Sequence, residues 1–134
     1  MPVGSWDPEA QDPQITVDLD DGLLQRFIAL GEAPELQQLE RALDDSEQRR
    51  YAPLMTLSQD RWRNVGSHYS DAELFCLLRF FAVAEQLPGW EAAEKSPVIP
   101  LAKILRERGN RPDKAFLTWL RQISDNRFLP YGPL

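Results

Sequence analysis

The sequence predicts an all-α fold: a compact irregular or orthogonal bundle of five to six helices around one central apolar helix, about 71–87. Three observations carry this prediction. Apolar residues return at a helical period in segment after segment, cap residues and prolines punctuate those segments, and no stretch alternates apolar with polar residues over a strand's length. At 134 residues the chain fits one core. The expected organisation is an extended N-terminal arm over 1–17, rich in Pro2, Pro8 and Pro13, followed by a single helical domain over 18–134.

The first helix begins after Asp20 and carries Leu23, Leu24, Phe27 and Ile28 on one face, with Gly31 expected in the C′ position. Pro34 suits the first turn of a second helix, whose Leu36, Leu39 and Leu43 share a face. Its pattern reaches Tyr51 before Pro53, and the Asp44-Asp45-Ser46 stretch leaves its continuity open. Ser58 reads as an N-cap flanked by the hydrophobic staple Leu57 and Trp62, opening a short helix to about Gly66. Ser70 and Glu73 form a capping box before the central helix, where Leu74 to Ala84 is interrupted only by Arg79. A helix apolar on nearly every side must have neighbours all round it.

Leu87-Pro88-Gly89 ends the central helix, and Ser96-Pro97 starts the next after a connector from Gly89 to Lys95. That helix, 97–108, is stopped by Gly109. A last helix, 112–123, opens at Pro112 and sets Phe116, Trp119, Leu120 and Ile123 at i, i+3, i+4 and i+7. The tail from Asn126 to Leu134 is barred from helix by Pro130 and Pro133 and concentrates Phe128, Leu129 and Tyr131. Its apolar content predicts docking on the bundle near Trp90, with a role as an extended ligand for another chain as the alternative.

Composition narrows the function classes. Hydrophobic residues at 43% and charged residues at 27% are ordinary for a globular protein, and the apolar run at 74–84 is far shorter than the roughly 20 residues of a bilayer span. No membrane partner is expected. The opening Met-Pro-Val-Gly-Ser-Trp-Asp lacks a basic start before an apolar run, and the single Cys76 allows no internal disulfide, so the expected location is cytoplasmic. The net charge of −6 is lopsided: residues 1–102 hold 8 Lys+Arg against 18 Asp+Glu, residues 103–134 hold 7 against 3.

A search for chemistry finds no catalytic constellation. One His and one Cys fall short of a zinc ligand set, and the Asp18-Leu-Asp20-Asp21-Gly22 run has its glycine one place early for a calcium loop. No metal and no cofactor are expected. His68 lies beside Ser67 and Ser70 in a turn, which suits exposure better than a nucleophile and base, and Cys76 on the most apolar helix suits an inert thiol. The seven glycines are scattered and form no phosphate loop.

Three readings follow. The leading one is a non-enzymatic cytoplasmic protein-interaction or regulatory module, its partner another protein of unstated identity, with Trp90, Glu91, Glu94, Lys95, Phe128 and Tyr131 as candidate contact residues. Self-association into a homo-oligomer is compatible with it. The second is a DNA-binding regulator in which 97–123 forms a helix-turn-helix-like hairpin and Arg111, Lys114 and Thr118 face the nucleic acid, against an acidic remainder. The third is a small hydrolase or lyase in which Glu91 and Glu94 divide acid and base roles.

Overall fold

Asp20 opens the first helix by accepting the Leu23 N–H at 2.7 Å, and α1 runs Asp21–Glu32. The computed structural model describes residues 20–33, 36, 38–124 and 126. The arm expected over 1–17, the helix start expected at Pro34 and the tail with Phe128 and Tyr131 lie outside the described residues. Among those described no strand is present, as the periodicity predicts, and the α-helices number seven rather than the expected five to six.

The second apolar segment is two helices. Its helix α2, Leu39–Ala42, stops at Leu43, and Asp44 starts α3, Asp45–Tyr51, with a full capping box. The Asp44 side chain accepts the Glu47 N–H at 2.8 Å while Glu47 Oε1 accepts the Asp44 N–H at 3.3 Å. A carboxylate that caps so well is a start signal, and it wins over the leucine period running through it. Arg26 of α1 pairs with Glu47 and also donates to the Ala42 carbonyl at 3.2 Å, so it closes the break from outside. A 3-10 turn, Ala52–Thr56, then leads to α4, Gln59–Gly66, capped as expected by Ser58.

The central helix, α5, spans Asp71–Ala84 behind the capping box of Ser70 and Glu73. It ends three residues before the expected 87: Glu85 is its C-cap, and Gln86 and Leu87 turn back onto the Val83 and Ala84 carbonyls. Phe80 and Phe81 are fully buried and sit in a ring cluster with Phe27, Trp62 and Trp90. Phe27 of α1 stacks on Phe80 at 4.2 Å between centroids, and Trp62 of α4 meets Phe81 edge-on at 5.1 Å. The all-round apolar helix is therefore surrounded, as its pattern requires.

Gly31 departs from its expected role. It is helical and buried, and a Cβ built on it would stand 2.8 Å from the Cys76 carbonyl carbon, so it lets α1 cross α5 backbone to backbone rather than ending α1. Gly109 does what its position predicts. With φ at +79° it follows α6, Val98–Glu107, and the Asn110 N–H to Leu105 carbonyl and Gly109 N–H to Arg106 carbonyl bonds complete a Schellman end. The last helix, α7, is Lys114–Ile123 and starts from the Asp113 cap instead of Pro112, because the Asp113 carboxylate accepts the Phe116 N–H at 2.8 Å. No helix among the described residues is long and apolar enough to cross a membrane.

A candidate partner-binding groove between α5 and α7

Helix α7 is sharply amphipathic, and its apolar face is incompletely covered. Of the apolar face of α7 only Leu120 is buried, while Phe116, Leu117, Trp119 and Ile123 keep part of their surface in solvent. Phe116 meets Phe75 of α5 edge-on at 5.7 Å, and Trp119 tilts against Phe116 at 5.5 Å. These three rings floor an open groove of about 590 Å³ whose walls are Arg79 of α5 and the Asn110–Asp113 stretch before α7.

The turn that closes one end is held in place by polar bonds. Arg108 donates to Asp71 Oδ1 and to the Tyr69 carbonyl, both at 2.8 Å, and Asn110 Nδ2 donates to Asp71 Oδ2 at 2.9 Å. Those two donors hold the Asp71 carboxyl below its ordinary range. Arg79 forms the opposite wall. Its Nε donates to the Gly31 carbonyl at 3.3 Å, a carbonyl in the last turn of α1 where cationic donors are favoured.

The sequence-predicted contact residues are not gathered in this groove. Trp90 is wholly buried against Phe80, and its indole N–H donates to the Gln48 carbonyl at 3.0 Å, so it offers a partner no surface. Glu91, Glu94 and Lys95 are exposed on the connector and line neither described groove, and Phe128 and Tyr131 fall outside the described residues. The nucleic-acid candidates Arg111, Lys114 and Thr118 are all exposed, but α7 packs chiefly on α5 and not on α6 as a helix-turn-helix pair would.

A second, smaller cleft of about 390 Å³ is lined by Asp21, Gln25, Val65, His68, Tyr69 and Glu73. The Tyr69 hydroxyl donates to Asp21 Oδ1 at 2.8 Å, and burial together with that carboxylate pushes it up to about 12. His68 is exposed there, Ser67 Oγ donates to the Asn64 carbonyl, and Ser70 Oγ caps α5, so the turn does not assemble a nucleophile with its base. Cys76 is buried; its thiol donates to Glu32 and is raised by burial, which suits an inert role. Among the described residues no group of His, Cys, Asp and Glu could hold a metal ion.

Glu85 is the residue sequence reasoning missed. It is 6% exposed at the end of α5, and both carboxylate oxygens are engaged: Ser96 Oγ donates to Oε2 at 2.6 Å and Asn126 Nδ2 to Oε1 at 3.0 Å. Burial still raises its carboxyl above the ordinary value. Asn126 also donates to the carbonyl of Ala93, whose φ is +49°, and Gln59 donates to the carbonyl of Glu94. The cluster pins the connector and the end of α7 to the bundle. One signal pointed to it: a carboxylate at the C-terminus of an apolar helix opposes the helix dipole and so needs donors of its own.

No protein family model, no curated protein and no solved structure gives a match to this chain.

Proposed function

We propose that the protein is a non-enzymatic, cytoplasmic protein-interaction module that receives a segment of another protein in the α5–α7 groove. The observation that supports this reading is the cluster of three half-buried rings, Phe75, Phe116 and Trp119, kept open beside a bundle that buries five other large aromatic side chains almost completely. Aromatic side chains left partly exposed on rigid helices are the usual anchors of a binding surface. The single cysteine, buried and reduced, supports the cytoplasmic placement.

The test is affinity purification from the native host with the wild-type protein and the double variant Phe116→Ala, Trp119→Ala in parallel. A partner held stoichiometrically by the first and lost by the second, with the helical spectrum of the variant unchanged, is the expected result. Equal recovery by both proteins would remove the groove from the function.

The DNA reading keeps one supporting observation. Lys114 and Thr118 are exposed one turn apart on α7, beside exposed Arg111. Retention on DNA that falls steeply with salt, and falls further in Lys114→Ala, would favour it. Glu91 and Glu94 gain no such support, because neither lines a described groove.

A further inference from the structure

We infer that the occupant of the α5–α7 groove is an acidic segment carrying an apolar anchor, with a carboxylate paired to Arg79 and the anchor packed on Phe75, Phe116 and Trp119; this rests on the docking role proposed above.

Arg79 carries the argument. It is the one charge in the apolar run 74–84 and is half-buried beside the rings. Three other arginines, Arg26, Arg63 and Arg108, each have a carboxylate partner. Arg79 makes no ion pair among the described residues: its bond to the Gly31 carbonyl uses Nε, on one edge of the guanidinium. Glu32 on α1 accepts the hydrogen bond of the Cys76 thiol instead. The groove does contain one carboxylate, Asp113, but that group accepts the Phe116 N–H as the cap of α7.

A guanidinium that has lost part of its hydration and meets no carboxylate favours an anion, and its planar fork selects a carboxylate held through two hydrogen bonds. Arg111 lines the facing wall of the same groove. The rings next to these cations set the other half of the specificity. They favour an aromatic or branched aliphatic side chain adjacent to the acidic one, and a purely acidic segment would leave them uncovered.

The experiment uses the full chain and a fluorescein-labelled nine-residue peptide in which aspartates flank a central phenylalanine–leucine pair. Two control peptides replace the aspartates by asparagine or the central pair by serine. Fluorescence anisotropy should show the acidic peptide binding, each control binding about tenfold more weakly or worse, and the acidic peptide losing affinity as salt rises. Arg79→Gln should abolish the preference for aspartate over asparagine, while Arg79→Lys keeps part of it. If Arg79→Gln melts early, the wild-type comparison of the peptides still decides. The Trp119 indole resonance should shift on binding while those of buried Trp62 and Trp90 stay put.

Equal affinity for the aspartate and asparagine peptides overturns the acidic preference and leaves the groove itself standing. No binding at about 1 mM peptide, a level that corresponds to roughly 4 kcal/mol of affinity, overturns this inference. The groove is then judged by partner capture alone. Concentration-dependent self-association that Arg79→Gln removes would make a second copy the occupant, which also overturns it.

Discussion

Gly31 and Cys76 meet backbone to backbone where α1 crosses α5, with no room at Gly31 for even one added carbon. Alanine favours a helix over glycine by about 1 kcal/mol, so Gly31→Ala would stabilise a free α1. In the folded protein the methyl would strike the Cys76 carbonyl, which is main chain and has no rotamer to change. Overpacking of this kind costs roughly 1–3 kcal/mol, and a backbone obstacle places it at the upper end. The expected result is a clearly lower denaturation midpoint. An unchanged midpoint would show that α1 can shift along α5 at no cost.

Trp62 and Trp90 form a natural pair for measuring one hydrogen bond. Both are 1% exposed or less, yet Trp90 donates to Gln48 while the Trp62 N–H has no partner among the described residues. Replacing either by phenylalanine leaves a similar gap. At Trp62 it also removes a buried donor lacking an acceptor, a feature that costs roughly 1–3 kcal/mol; at Trp90 it removes a made bond, leaving the Gln48 carbonyl with the Ala52 N–H alone. Trp90→Phe should therefore destabilise by about 1 kcal/mol or more beyond Trp62→Phe in chemical denaturation. Equal losses would mean that the Trp62 indole is satisfied in solution.

Glu85 predicts a pH dependence of opposite sign to that of the capped carboxylates. Its folded carboxyl lies above the ordinary value because burial disfavours the charge. Between the unfolded and folded values the native protein holds a proton that the unfolded chain has released, so this contribution is fully present below the unfolded value and lost as pH rises through the folded one. Glu47, Asp71 and Glu73 are shifted down by their partners, and what they contribute is lost as pH falls. Subtracting the melting profile of Glu85→Gln from the wild type isolates the first effect: the variant should gain on the wild type as pH rises beyond the ordinary glutamate range. Glu85→Ala instead strands the buried Ser96 hydroxyl donor, at roughly 1–3 kcal/mol. A constant difference between wild type and Glu85→Gln across pH would show that Glu85 titrates normally.

How much of this was legible depends on the range of the interaction involved. Ser58, Ser70 and Gly109 announce themselves within four residues, and the structure uses each as expected. Gly31 looks locally like another helix stop, because its reason, the Cys76 backbone, is 45 positions away in the chain. Asp44 was ambiguous for the opposite cause: its capping box competes with a leucine period extending through Leu43, and the box wins with Arg26 of α1 bridging the break. Trp90 reads as a contact candidate because its connector is rich in charge, and only tertiary packing shows its indole turned inward to Gln48. The groove was half visible. The period of Phe116, Trp119, Leu120 and Ile123 shows an apolar face, but only tertiary packing shows how little of that face α5 covers.

That incomplete cover makes neighbouring residues of α7 energetically unequal. Leu120 is fully buried, so Leu120→Ala should cost roughly 2–5 kcal/mol, as cavity-forming changes in cores do. Trp119 is the larger side chain, but it keeps solvent on one side and its ring contact is with Phe116, itself half-exposed. Trp119→Ala should cost only about 1 kcal/mol, near the centre of point-substitution effects in general and well below a core truncation. Acrylamide should likewise quench a fluorescence component that Trp119→Phe removes, while Trp62 and Trp90 stay protected. The inequality matters because a ring that contributes little to folding, held on a rigid helix beside an arginine with no ion pair among the described residues, is better accounted for by binding than by stability. Should Trp119→Ala destabilise as much as Leu120→Ala, the ring belongs to the core, the groove closes in solution, and the docking role falls with it.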